Sequence, residues 1–221
     1  MNARLVSLNV GKPKPLAYRG KHVQSGFRKS PEPGVLWLGK TGLEGDGQAD
    51  LKNHGGPEKA ICVYPVEHYP YWRERLGRSL EPGAFGENFS AEGLLESDVC
   101  VGDVYRVGDA LVQVSQPRQP CYKMAARHGI KELALWVLEA GFTGFYFRCL
   151  EPGEVRAREE ISLVRRAQTL TSLAEANRVM HRDKRDVAGI ERLLTVPELA
   201  VSWREHLEKR LAGARENAAS G

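Results

Sequence analysis

Apolar and polar residues alternate along 4–10, where Val6, Leu8 and Val10 interleave with Ser7 and Asn9, the period of a strand with one buried face. A second short apolar run, 35–38, predicts another strand. The pattern sharpens after Asp103. There 104–107, a Gly108-Asp109 turn and 110–116 read as a hairpin, with Ala110, Val112 and Val114 on one face of its second strand and Leu111, Gln113 and Ser115 on the other. Strands are also expected at 145–150 and 161–164, joined by a turn at Glu151-Pro152-Gly153-Glu154. Many short strands punctuated by glycine and proline predict a mainly β fold, a barrel or a sandwich. Two stretches read as helices, 66–76 and 130–140, the second closed by Gly141, and both are expected to cover open ends of the barrel.

After Gln168 the period changes to that of helices. Ser172 with Glu175 is a capping-box pattern for a helix to about Met180, and Asp186 is placed to cap another to Leu194. Thr195, Pro197 and Glu198 read as the start of a third helix, with Gly213 as its stop. Leu199, Trp203, Leu207 and Leu211 recur every four residues and give it one apolar side, while Glu205 and Lys209 can pair on the other. The organisation expected is a β-barrel domain over 1–166, a three-helix module over 167–215 and a frayed tail over 216–221.

Composition changes this picture little. A chain of 221 residues with 42% hydrophobic content suits one large domain, or one with a small appendage, and a real core. Its four cysteines, Cys62, Cys100, Cys121 and Cys149, are far apart, so no C-x-x-C pair, zinc knuckle or disulfide scaffold is written locally. The longest nearly apolar stretch, 133–142, is too short to span a bilayer, and a cytoplasmic protein without a membrane partner is expected.

Charge changes it more. The net charge is only +4, yet the first 31 residues hold seven Lys or Arg and no acid, a region suited to an anion. Pro13, Pro15, Gly11 and Gly20 break any amphipathic transit helix, and only Tyr18 and Phe27 interleave with the cations, too few for a nucleic-acid stacking platform. No nucleic-acid partner is expected, and a single phosphate or pyrophosphate is the economical anion.

Three segments carry candidate chemistry. Gln116-Pro117-Arg118-Gln119-Pro120-Cys121-Tyr122-Lys123 fixes a cysteine between prolines and cations, on a stiff loop leaving a strand. Positive charge beside it suits a thiol that attacks electrophiles or binds soft metals, against the plainer reading of a buried packing cysteine. In the second segment Asp46, Asp50 and His54 are four apart and would line one helical face as a metal site, but Gly45, Gly47, Gly55 and Gly56 disfavour a helix. A glycine loop aiming N–H groups at an anion, with His54 and Lys59 adding charge-assisted bonds, is the better account, and a tight turn with His54 capping a local carbonyl is the bland one. The third, Phe85-Gly86-Glu87-Asn88-Phe89, sets a carboxylate beside an amide, or simply a solvated charge beside a turn residue. Tyr64, Tyr69, Tyr71 and Trp72 form an aromatic cluster of the kind that usually packs a core.

Taken in order, Gly42-Leu43-Glu44-Gly45-Asp46, His54-Gly55-Gly56-Pro57, Phe85-Gly86-Glu87-Asn88 and Gln113-Val114-Ser115-Gln116-Pro117-Arg118-Gln119-Pro120-Cys121 resemble the MOSC family, the domain related to the C-terminal part of molybdenum cofactor sulfurases. The resemblance covers nearly the whole chain, and the helical tail is similar to the three-helix module of the YiiM-like branch. It implies a MOSC-type β-barrel with covering helices that holds the molybdenum cofactor, with Cys121 as ligand to molybdenum, a soft thiolate added to the dithiolene sulfurs. It implies that Lys12, Gly55, Gly56, Lys59, Ser115, Gln116 and Lys123 serve the cofactor, that Arg118 sits beside the metal or the phosphate, and that Asp46, Asp50, Glu87 and Asn88 line the pocket. The implied activity is reduction of N-hydroxylated compounds, 6-hydroxylaminopurine among them, with the oxygen leaving as water. His54, Asp46 or Glu87 would supply the proton, with the choice left open. No flavin or iron–sulfur motif is present, so electrons would come from a separate reductase protein. The helical module is a docking face for it, barrel packing or a homodimer contact. A non-catalytic carrier of the cofactor or of sulfur on Cys121 is the alternative, and a basic nucleic-acid-binding barrel a distant third; Cys62, Cys100 and Cys149 are read as packing.

Overall fold

The computed structural model describes residues 3–219. Its strands are β1 (Ala3–Val10), β2 (Lys14–Tyr18), β3 (Lys21–Ser25), β4 (Ser30–Pro31), β5 (Leu36–Gly39), β6 (Gly42–Leu43), β7 (Ile61–Pro65), β8 (Phe89–Glu92), β9 (Val104–Val107), β10 (Ala110–Pro117), β11 (Phe145–Glu151), β12 (Gly153–Val155) and β13 (Glu160–Arg165). The helices are α1 (Leu51–His54), α2 (Tyr69–Leu76), α3 (Tyr122–His128), α4 (Leu133–Ala140), α5 (Leu173–Asn177), α6 (Val187–Leu194) and α7 (Val201–Ala219).

β1, β8, β7, β11, β10, β9 and β13 pair side by side in that order, and β13 returns to β1 with Ala3 opposite Ile161 and Arg4 opposite Glu160. Among the described residues, then, seven strands close into a barrel, which removes the exposed edges a flat sheet would leave. All neighbours in it are antiparallel except β7 and β8. A parallel pair needs a long crossover, and residues 66–88, which include α2, make it. Leu5, Val63, Phe89, Val112, Val114, Phe145 and Phe147 fill the core with no exposure.

The alternation read along β10 is present, but its second face is covered as well, with Gln113 and Ser115 buried and Leu111 half-buried, and Gln116 beyond them is also buried. The helical module is the cover. Ser115 accepts the Ala200 N–H at 3.0 Å, and Ser202 Oγ donates to Gln116 Oε1 at 3.4 Å.

Several expectations need correction. The turn placed at 151–154 holds the start of β12, which pairs with β5. β7 gave no alternating signal because all five of its residues are buried, and the β2–β3 hairpin was hidden by its prolines and lysines. The helix read at 66–76 opens as a 3-10 turn at Val66–His68, and the one read from 130 begins at Leu133. It ends as expected, on Gly141 at φ 78, whose N–H bonds to the Val137 carbonyl at 3.1 Å.

In the module, Ser172 Oγ accepts the Glu175 N–H at 3.1 Å and Asp186 Oδ1 that of Gly189 at 2.8 Å, both as the capping patterns require. After α5 the chain widens into a π turn at Arg178–Arg182. The third helix starts later than expected. Thr195 Oγ1 donates back to the Arg192 carbonyl at the end of α6, and the first N–H of α7, on Val201, is taken by Glu58 of the barrel at 3.0 Å. A cap delivered from 143 residues away leaves no local signature. Gly213 does not stop α7, so Glu216, expected to open a frayed tail, is helical; Ser220 and Gly221 lie outside the described residues. Leu199, Trp203, Leu207 and Leu211 join the core. Among the described residues no helix is long and apolar enough to cross a membrane.

Candidate active site

Cys121 stands where the loop after β10 becomes α3, in extended conformation at φ −127 and ψ 168, as the residue before the first helical turn. The loop is tied down by the Arg118 N–H on the Gly144 carbonyl at 3.0 Å. The thiol residue is half-buried and lies on two adjoining spaces. An inner cavity is lined by Ser25, Gly26, Phe27, Lys29, Gly47, Gln48, Ala49, His54, Lys59, Cys62, Gly86, Asn88, Arg118, Cys121, Lys123 and Tyr146. An outer cleft of about 400 Å³ shares His54, Lys59, Cys121 and Tyr146 with it and adds Asp50, Gln116, Gln119, Pro120 and Tyr122, with Ser202, Trp203 and His206 of α7 as its far wall.

The inner cavity is strongly one-signed. Lys29, Lys59, Arg118 and Lys123 line it, and no Asp or Glu does among the described residues. Arg118 is buried with its Nη1 lacking a hydrogen-bond partner, and its guanidinium lies 5.5 Å from the centre of the Phe27 ring. Burial works against that charge, yet Cys62, Tyr146 and Cys121 hold its pKa above the ordinary arginine value. A buried donor without a partner amid cations is a site shaped for an anion. His54 feels the same field. Burial pulls its imidazole down to about 4, Lys123, Arg118 and Lys59 push the same way, and Asp50 opposes them. Burial also lowers Lys59 against the pull of Glu58 and Asp50.

The wall behind the cavity is held by carboxylates that do not reach it. Asp46 accepts the Gly11 N–H at 2.8 Å and the Asn88 amide at 2.9 Å, and pairs with the Lys29 ammonium. Glu87 accepts the N–H groups of Gly83 at 2.7 Å and Phe85 at 3.0 Å, the Ser90 hydroxyl at 2.8 Å and the Tyr69 phenol. Gly26 and Gly47 bring two backbone segments into contact there, since a Cβ on Gly26 would stand 1.9 Å from the Gly47 carbonyl oxygen.

The residues singled out in the sequence fall into three groups. Cys121, His54, Lys59, Asn88, Arg118 and Lys123 meet on the inner cavity, and Asp50 and Gln116 on the outer cleft. Asp46, Glu87 and Ser115 sit behind the walls, Ser115 donating to the Glu58 carbonyl at 2.6 Å. Lys12 is exposed and lines neither space, and Gly55 and Gly56 only carry the chain from α1 to the turn that presents Lys59. The Asp46, Asp50 and His54 face does not form, since Asp46 lies in a loop before the one-turn α1, and no group of three or more His, Cys, Asp or Glu able to hold a metal ion occurs among the described residues. Sequence reasoning missed Phe27, Lys29, Cys62 and Tyr146. The acid-free N-terminal run was the signal for Lys29, though it pointed to Lys12.

Comparison with known proteins gives this arrangement a family. Residues 50–162 match the MOSC domain, and residues 172–214 match the YiiM-like, 3-alpha helix domain. The chain is 49% identical over 206 residues to YflK of Bacillus subtilis (strain 168), covering 93% of each chain, and 41% identical over 197 residues to protein YiiM of Escherichia coli (strain K12), covering 87% and 88%. It is 32% identical over 182 residues, 80% of its length, to a protein of Gibberella moniliformis (strain M3125 / FGSC 7600) named a reductase, and spans 32% of that protein. The crystal structure of YiiM from Geobacillus stearothermophilus superposes with a TM-score of 0.82 at 41% identity, covering 95% of this chain and 99% of the other. With its thiol-bearing barrel and its helical module both matched, the chain belongs to the MOSC domain family, in the YiiM-like branch.

Proposed function

We propose that this protein is a molybdenum-cofactor-dependent reductase of N-hydroxylated compounds such as 6-hydroxylaminopurine, releasing the N-hydroxy oxygen as water with electrons from a separate reductase protein. The observation that carries the reading is a soft thiol, Cys121, on a cavity whose charged lining is entirely cationic. That donor set fits the cofactor, which combines a soft metal centre with an anionic dithiolene and phosphate. Cys121 would hold the molybdenum, and Lys59, Arg118 and Lys123 the anionic parts, with Arg118 Nη1 finding the partner it lacks. The bound group would supply two-electron redox chemistry at a metal. The name of one relative, reductase, agrees with an oxidoreductase.

The protein's own contribution is a proton and a position. Asp46 and Glu87 have their oxygens committed to donors behind the wall, whereas His54 faces both the cavity and the cleft. Burial depresses the His54 imidazole and the cations add to it, so an anion that offsets the cations raises its proton affinity and lets it carry a proton to the departing oxygen or nitrogen. The outer cleft would hold the substrate, with Tyr122 and α7 as walls.

The test is Cys121→Ser, made in cells that synthesise the cofactor and measured for bound molybdenum and for 6-hydroxylaminopurine reduction with an electron donor. Both should be lost. Retention of both sinks the proposal, and tightly held molybdenum in the unaltered protein without turnover favours the carrier.

A further inference from the structure

A second basic site lies on the far side of Lys29 and at the opposite end of α3 from Cys121. It is a cleft of about 380 Å³ whose walls come from 29–31, the loop 78–84 and the end of α3 at Arg127 and His128. Arg127 is half-buried, and its Nε is shut off from solvent without a hydrogen-bond partner. The charged groups that act on it are Arg28 and Arg78, and with burial they lower its pKa. Arg78 is oriented by His128, donating to its Nδ1 at 2.6 Å and to its carbonyl at 3.1 Å, while His128 Nε2 donates to the Ala84 carbonyl at 2.8 Å. Those two contacts fix the neutral tautomer, and burial keeps it so by drawing the His128 pKa to about 4. The one acid on the cleft, Glu81, is exposed and takes the Ser79 hydroxyl at 3.5 Å.

Arg78 and Arg127 line the same cleft and, among the described residues, neither has an ion-pair partner, so the two repel one another and the half-buried one gains most from a compact anion. We propose that this cleft binds a phosphate dianion through Arg78 and Arg127, as a site separate from the Cys121 cavity. The half-buried Arg127, with its Nε shut off from solvent, favours a small molecule that enters the recess over an acidic protein face. The volume exceeds what one phosphate fills and suits the ester of a small metabolite. This inference does not depend on the reading of the thiol cavity.

The test is calorimetric titration of the full chain, freed of phosphate and sulfate, with inorganic phosphate and separately with adenosine monophosphate. Two sites per chain are expected, one of them weakened about tenfold or more in Arg127→Gln and in Arg78→Gln but unchanged in Lys123→Gln, which weakens only the other, on the thiol cavity. Tighter binding of the monophosphate assigns a phosphate ester, and tighter or equal binding of inorganic phosphate assigns the free ion. Phosphate should also raise the melting temperature of Lys123→Gln, but not of Lys123→Gln combined with Arg127→Gln. Should Arg127→Gln fail to fold, Arg78→Gln, at an exposed position of the same cleft, carries the test alone. Loss of binding only in Lys123→Gln, absence of binding of both probes at about 10 mM, or binding of a polyglutamate peptide alone would overturn the proposal.

Discussion

Lys29 and Asp46 form an ion pair with only 5% and 1% of their side chains exposed, and it ties the basic N-terminal segment to the glycine loop behind the inner cavity. Removing one member leaves the other buried and unpaired. Asp46→Ala should cost about 3–5 kcal/mol in urea denaturation, and adding Lys29→Met to it should restore part of the loss. If the double variant is no more stable than Asp46→Ala, the pair does not act as a unit.

Glu87 meets four donors and no cavity space, so its replacement should be felt in folding and not in proton transfer. Glu87→Gln is expected to lose about 1–3 kcal/mol of stability while the pH profile of turnover keeps its shape. A shifted profile at unchanged stability would return Glu87 to the list of proton donors.

Much of the barrel was legible because half-buried strands such as β1 and β10 alternate, and two helices of the module carry their caps in their own sequence, at Ser172 and Asp186. What was missed has physical causes. β7 is buried on both faces, so no period marks it. The start of α7 depends on Glu58, which no local pattern can show. The cavity followed the same rule. Cys121, Arg118 and Lys123 come from one stiff loop and the helix it enters, whereas Lys29, Cys62 and Tyr146 arrive singly from separate elements without a motif.

Histidines give the protein an acid-side weakness. His54, His128 and His181 are each held near pKa 4, chiefly by burial, below the ordinary 6.5. Above pH 6.5 neither folded nor unfolded chain protonates them, so the full stability is present. As pH falls from 6.5 toward 4 the unfolded chain takes up protons that the folded one refuses, and stability declines. Melting temperature should drop steadily across that window, and a flat profile there would contradict the placement of these rings.

The outer cleft is walled by α7, so substrate access and cofactor retention should separate. Ser202→Trp is expected to lower kcat/KM about tenfold or more by filling the cleft, with bound molybdenum unchanged. Equal activity in this variant would place the substrate elsewhere.

The pairing of β1 with β13 sets a schedule for synthesis. A ribosome delivers the first strand of the barrel long before the strand that finishes it, and the two cannot meet until Ile161 has emerged. Until then β1 waits with an unpaired edge, the situation in which nascent chains are most open to mispairing and chaperone capture. The cations of the inner cavity have no enclosed space to line during that interval. The lining of that cavity is drawn from residues 25–146, so any anionic group it takes belongs to a late stage of the chain's emergence, once those elements have met.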